Sequence, residues 1–313
     1  MLDEYTLKLR QSMILEDKIR FTKRRIEEWI NNYGVDGCYV SFSGGKDSTV
    51  LLDIVREIAN VEAVFVDTGL EYPEIKQFVK TKDNVTILRP KMSFLEVINE
   101  YGYPIISKEV SDAVDQGRKN LSEGKTETIR VKKLRGTLKD NHGNPSKFNR
   151  PKWGYLLDAP FKISAKCCEI MKKRPAKLYY KETGKKPIVG TMASESMVRK
   201  VRYLKTGCNA FDNIIPTSTP LAFWTEQDVL EYLYKKKIPY ASVYGEIKQD
   251  ENGKYYTTGC HRTGCVFCGF GCHLDKEPNR FQKLKETHPK LYDYCINGLE
   301  MSKVLDYIDV PYI

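Results

Sequence analysis

The segment Ser41-Phe42-Ser43-Gly44-Gly45-Lys46-Asp47-Ser48 gathers residue types that bind phosphate. Two adjacent glycines let the backbone turn tightly enough for consecutive N–H groups to point into one concavity, and such a nest attracts anions. A helix beginning near Asp47 would bring its positive dipole end and unsatisfied N–H groups to the same point. Lys46 and the hydroxyls of Ser43 and Ser48 add donors. The spacing is neither the Gly-x4-Gly-Lys-Ser/Thr of the Walker loop nor the Gly-x-Gly-x-x-Gly of dinucleotide folds, so neither of those readings applies.

The second concentration of chemistry is in thiols. Cys167-Cys168 form one pair, and Cys260, Cys265 and Cys268 give Cys-x4-Cys-x2-Cys, with Cys272, His261 and His273 close by. Soft thiolates at such spacing suit an iron–sulfur cluster. A Zn²⁺ site made by Cys260, Cys265, Cys268 and Cys272 is the rival, because tetrahedral four-thiolate sites favour the same short spacings. Cys38, Cys208 and Cys295 stand alone and read as small apolar side chains. His142 and His288 read as surface or packing residues.

Certain elements must position these groups. Apolar residues at Leu7, Met13, Ile14, Ile19, Ile26 and Trp29 predict a helix or helix pair over 4–30. Strands are expected at 37–42, 61–66 and 85–88, with helices over 47–58 and after Pro73, and the α/β rhythm resumes with a strand at 187–190 and a helix over 224–235 that Thr225 caps. This order implies an α/β fold with a doubly wound, mostly parallel sheet. The stretch 118–152 carries eleven Lys or Arg against three acids and reads as a basic insertion or loop. The expected organisation is an N-terminal helical segment (1–35), a nucleotide-binding α/β domain (36–256) and a Cys-rich C-terminal region (257–313).

A formal charge of +10 points to an anionic partner, whether nucleotide, nucleic acid or a sulfate-like substrate. No apolar run approaches the roughly 20 residues needed to cross a bilayer, so no membrane partner is expected. The opening Met1-Leu2-Asp3-Glu4-Tyr5 lacks the pattern of a secretory leader. Nine cysteines in such a chain then argue for reduced thiols in the cytoplasm.

Ser-Gly-Gly-Lys-Asp-Ser after a strand resembles the pyrophosphate loop of the adenine nucleotide α-hydrolase (PP-loop) superfamily. Phe65-Val66-Asp67-Thr68-Gly69-Leu70-Glu71-Tyr72-Pro73 resembles a segment of its phosphoadenylyl-sulfate (PAPS) reductase family. So do Gly190-Thr191-Met192-Ala193-Ser194-Glu195-Ser196 with Arg199, and Pro220-Leu221-Ala222-Phe223-Trp224-Thr225-Glu226-Gln227-Asp228-Val229. Cys167-Cys168 and Cys265-Val266-Phe267-Cys268 are similar to the cysteine pairs of the family's iron–sulfur branch. The resemblance implies that Ser41, Ser43, Gly44, Gly45, Lys46, Asp47, Ser48, Asp67, Thr68, Gly69, Gly190, Glu195, Ser196 and Arg199 bind the nucleotide. Lys46 and Asp67 are the implied catalytic residues, with Asp67 contacting the nucleotide or a Mg²⁺. It also implies that Cys167, Cys168, Cys265 and Cys268 hold a [4Fe–4S] cluster close to the nucleotide's phosphates, with Cys260 as competing ligand.

The reductases carry their redox cysteine in a C-terminal Glu-Cys-Gly-Leu-His segment, whereas this chain ends Val304-Leu305-Asp306-Tyr307-Ile308-Asp309-Val310-Pro311-Tyr312-Ile313. The leading expectation is therefore an enzyme that binds ATP and couples adenylyl transfer to sulfur transfer onto an acceptor. Nucleic acid is one candidate acceptor, through the 118–152 stretch with Phe148 and Trp153, and a partner protein is another. The alternatives are a reductase of adenosine phosphosulfate or PAPS that makes sulfite, and a nucleotide sensor with a structural metal.

Overall fold

In the computed structural model, residues 2–313 are described. Among them the strands, in chain order, are β1 (Cys38–Ser41), β2 (Ala63–Val66), β3 (Val85–Leu88), β4 (Ile105–Ile106), β5 (Lys186–Val189), β6 (Asn209–Ala210), β7 (Thr217–Ser218), β8 (Ile247–Gln249), β9 (Tyr255–Thr257) and β10 (Gly269–Phe270). The chain divides into two compact units. The first contains the residues up to Asp67 together with 71–89 and 175–264, and the second contains 68–70, 90–174 and 265–313.

The first unit is built on a six-stranded sheet in the order β3-β2-β1-β5-β7-β6. Its pairs are parallel except β6 with β7. The expected doubly wound, mostly parallel sheet is thus what the chain forms. Parallel strands are covered on both faces and so run as apolar stretches. Cys38 and Val40 of β1 are fully buried, and so are Val50, Leu51, Ile54 and Val55 of the following helix, Lys46–Arg56. That helix has no solvent stripe. The helices Glu4–Gln11 and Leu15–Tyr33 supply Leu7, Ile26 and Trp29 to the same core.

Strand order marks out one edge of the sheet. The chain fills the β2 and β3 side of β1 first and returns later to lay β5 on its other side, so the sheet's direction of growth reverses at β1. Ligands of open α/β sheets bind outside the carboxyl ends of the strands at such a reversal. Ser41 pairs with Val64 on one side and Val189 on the other, so β1 and β5 end level while β2 runs two residues further, and the loops that follow leave the same edge.

The helix Glu226–Lys236 has Thr225 as its N-cap and Asp228 closing a capping box, as the sequence suggested for Thr225. Asp228 has a second task. Its carboxylate receives Lys18 Nζ at 2.7 Å, while that ammonium also donates to the Gln11 carbonyl at 2.7 Å. Lys18 is only 1% exposed.

The second unit is mainly helical, with Phe94–Tyr101, Lys108–Ser122, Ile129–Arg135, Arg280–Thr287 and Met301–Tyr307 around the short parallel pair of β4 and β10. The basic stretch 118–152, expected as an insertion or loop, is partly helical. It starts inside one helix and contains another, which Thr128 caps and Gly136 ends at φ 78°. Only Val131 and Leu134 anchor that second helix fully in the core, too few apolar positions to register against its cations. Among the described residues no helix is long and apolar enough to cross a membrane.

Removing one partner of a buried ion pair strands the other charge, which costs about 3–5 kcal/mol. Lys18→Met should therefore lower unfolding free energy by about that amount in urea titration, and Lys18→Met with Asp228→Asn should recover part of the loss.

Candidate functional site

The loop after β1 is shaped by sterics. Gly44 has φ +71°, and a Cβ built there would lie 2.8 Å from Ile75 Cγ2 and 3.0 Å from Val79 Cγ2, so glycine is required by conformation and by space. Gly45 is the N-cap of Lys46–Arg56 and supplies no side-chain acceptor to the helix's first turn. Below it the Ser43 and Ser48 hydroxyls lie 3.0 Å apart, the Ser43 N–H donates to Ser48 Oγ at 3.2 Å, and Ser48 Oγ donates to the Gly45 carbonyl at 3.0 Å. These bonds hold the turn. Ser41 is the last residue of β1 and starts it.

The loop after β5 lies against this helix. A Cβ on Gly190 would come 3.1 Å from the Asp47 carbonyl oxygen, which fixes glycine where strand and helix meet. Glu195 Oε2 accepts the Met192 N–H at 2.8 Å and pairs with Arg199, while Ser196 Oγ caps the helix Met197–Thr206 by accepting the Arg199 N–H at 3.3 Å. The structure thus brings Ser41, Ser43, Gly44, Gly45, Lys46, Asp47, Ser48, Gly190, Glu195, Ser196 and Arg199 into one region of the first unit. Burial pushes the Asp47 carboxyl up to about 6, with the charges of Glu195 and then Glu226 adding to the rise against Lys46 and Arg262.

Asp67 directly follows β2, and its carboxylate is paired with Lys76 at 2.7 Å and Arg89 at 3.8 Å. Thr68 and Gly69 fall in the second unit. Thr68 is buried, its Oγ1 accepting the Leu70 N–H at 3.2 Å, and Gly69 has φ +78° with open space around it.

Other residues crowd Lys46 that the loop motif did not announce. Lys46 Nζ donates to Glu226 Oε1 at 3.1 Å and to the His261 carbonyl at 2.9 Å, and lies 5.2 Å from the centre of the Tyr244 ring. The Tyr244 hydroxyl faces the Lys46 backbone N–H and sits 2.5 Å from Thr263 Oγ1. Glu226 and His261 lie 180 and 215 residues further along the chain. Local spacing carries no trace of that contact. The available signal was Glu226 in the Trp-Thr-Glu helix start.

The thiols sort between the units. Cys167, Cys168, Cys265 and Cys268 all belong to the second. Burial raises the Cys167 thiol, and Cys265, Cys168 and Cys268 raise it further. Burial pushes Cys265 up to about 11 against the opposing pull of Lys172, which hydrogen-bonds to it, and Cys268 rises for the same first reason near Arg280 and Lys172. Cys168 caps a π-helical turn, Glu169–Lys173. Such turns are rare and recur at functional sites. Cys260 belongs to the first unit, where its N–H donates to the Val243 carbonyl at 2.9 Å. Cys272 is buried, with Sγ donating to the Gly269 carbonyl at 3.0 Å. Among the described residues no three His, Cys, Asp or Glu side chains are arranged to hold a metal ion.

The model of the phosphoadenosine phosphosulfate reductase domain matches residues 37–143 and 144–269. The chain belongs to that family. Membership places it in the PP-loop superfamily. Two uncharacterised proteins of Methanocaldococcus jannaschii are similar to it, one 23% identical over 91% of this chain and the other 26% identical over 83%. The chain spans 56% and 41% of their respective lengths, about half of each. A crystal structure of PAPS reductase from Candida auris, a phosphate complex, aligns with 81% of this chain and 98% of its own at 15% identity and a TM-score of 0.39. The assignment rests on the family model.

An acid whose folded pKa is raised destabilises the fold once it ionises. Asp47 should therefore cost nothing below its ordinary value of 3.8, with the penalty growing as pH rises and complete above about 6. Asp47→Asn should flatten that part of the pH–stability curve and raise stability at pH 7 by on the order of 2 kcal/mol, read by denaturant titration across pH.

Proposed function

We propose that this PAPS reductase family protein binds ATP on the 43–48 loop and transfers its adenylyl group to an acceptor, which is then sulfurated. The carrying observation is the helix Lys46–Arg56, which starts at the sheet's reversal point with a left-handed glycine turn before it and a buried lysine as its first residue. That arrangement suits the β- and γ-phosphates. The acceptor nucleophile attacks the α-phosphorus, the bond to the bridging oxygen breaks, and pyrophosphate leaves. The loop N–H groups and Lys46 take up the charge that develops on it, and the Ser43 and Ser48 hydroxyls orient it. A sulfur donor then displaces AMP from the activated acceptor. Asp67, already carrying Lys76 and Arg89, has its charge answered by protein cations. We therefore assign it to placing those cations at the end of β2 and leave any Mg²⁺ to the nucleotide's own phosphates.

Cys167, Cys168, Cys265 and Cys268 are the residues we propose to hold a [4Fe–4S] cluster. They fit it chemically, being four soft donors that feel one another's charge within one unit, with Lys172 and Arg280 beside them to offset an anionic cluster. A bound cluster would supply redox capacity and a soft iron site for sulfur. The zinc alternative calls on Cys272, whose thiol donates to the Gly269 carbonyl.

Sulfonucleotide reduction, the family's namesake reaction, requires a nucleophilic thiolate. Cys208 and Cys295 are buried, and burial pushes both thiols up to about 12. Neither suits attack on sulfur. Nucleic acid as acceptor draws less support from the basic stretch than its composition suggested. Lys125, Arg130, Lys132, Lys133 and Arg150 pair with carboxylates, and Arg118 spends its guanidinium on four backbone carbonyls. Phe148 remains 53% exposed beside Lys147.

Purified protein should release pyrophosphate from ATP in the presence of the correct acceptor, and Lys46→Ala should slow that release by about 10²- to 10³-fold with the fold intact. ATP turnover indifferent to Lys46 would overturn the assignment. Anaerobic protein should carry about four irons and four sulfides per chain. Cys168→Ser should lose them and Cys260→Ser keep them. One zinc and no iron would make the thiols structural.

A further inference from the structure

Lys46 is the residue on which the proposed nucleotide site turns, yet its ammonium is already engaged. Of its three donors, one meets the Glu226 carboxylate at 3.1 Å and another the His261 carbonyl at 2.9 Å. The side chain is 5% exposed and Glu226 32%, so the pair is only partly screened by water. The partners come from two further places in the first unit. Glu226 opens the helix Glu226–Lys236, and His261 follows a connection secured by hydrogen bonds from the Gly259 N–H to Tyr244 and from the Cys260 N–H to Val243, both 2.9 Å. His261 Nδ1 lies 3.1 Å from the same Glu226 oxygen. The Tyr244 hydroxyl, held by Thr263, stands 3.4 Å from where a Cβ on Gly45 would be, against the glycine turn itself.

We propose that Glu226 is a positioning residue that holds Lys46 in a resting latch, its carboxylate standing in for a phosphate oxygen, and that polyphosphate binding takes the ammonium from it. This rests on the nucleotide reading of the loop. A carboxylate and a phosphate offer a lysine the same charge-assisted bond, so each displaces the other. A polyphosphate brought to the loop also meets the Glu226 charge, which repels it until Lys46 lies between them. The latch therefore lowers affinity for nucleotide and keeps a buried cation satisfied while the loop is empty.

The test is calorimetric titration of the full chain with ATP and with inorganic pyrophosphate, using wild type, Glu226→Gln, Glu226→Asp, Lys46→Ala and the Lys46→Ala/Glu226→Gln pair. Glu226→Gln should tighten both ligands about fivefold, because the competing anion is gone. Glu226→Asp keeps the charge at the helix start but shortens its reach to Lys46, and should also tighten binding. In the Lys46→Ala background the Gln substitution should keep only the smaller gain from lost charge repulsion, since the latch acts through the ammonium. Weaker binding by Glu226→Gln, or an undiminished gain of about fivefold without Lys46, overturns the latch and leaves the loop assignment standing. Failure of the wild type to bind either ligand overturns both. Melting curves of each variant guard against reading a folding defect as a binding effect.

Discussion

The geometry of one turn governs what this protein can do. Between β1 and the helix Lys46–Arg56 the chain must reverse its course through Gly44 at φ +71°, with no room for a side chain against Ile75 and Val79. The helix it enters has Val50, Leu51, Ile54 and Val55 wholly buried and so cannot shift to relieve the turn. A rigid helix therefore presents its first-turn N–H groups at the edge of the sheet, where strand order reverses. Ser43 and Ser48 lock the turn from beneath, and Gly190 lets the end of β5 approach it.

Around this point electrostatics are finely balanced. Lys46 faces Glu226, while Asp47 is crowded by Glu195 and Glu226, and Arg199 answers Glu195. Lys46 and Arg199 are thus each answered by an acid of the same unit. The buried Lys18–Asp228 pair shows the same economy in a structural setting, binding the helix Leu15–Tyr33 to the helix that presents Glu226.

The second unit is organised differently. Its helices enclose a two-stranded contact, and its four neighbouring thiols come from two distant segments, 167–168 and 265–268. The π-helical turn after Cys168 and the Lys172 bond to Cys265 set this region apart from the isolated cysteines, which are packed as small apolar groups.

Much of the first unit was legible in sequence because its determinants are local. An apolar run, two glycines and a lysine specify strand, turn and helix N-terminus within a dozen residues, and Thr225 with Asp228 writes its own cap. The helix at Ile129–Arg135 was not legible, since Val131 and Leu134 had to outweigh a run of cations through burial that only packing reveals. The partners of Lys46 were likewise hidden, because Glu226 and His261 meet it only after the sheet is wound. The sequence by itself determined that a glycine turn before a helix N-terminus and paired thiols exist, for these depend on backbone conformation and residue type. The tertiary structure decided which acids, cations and thiols face one another, for those energies depend on distance and burial, quantities a linear chain does not contain.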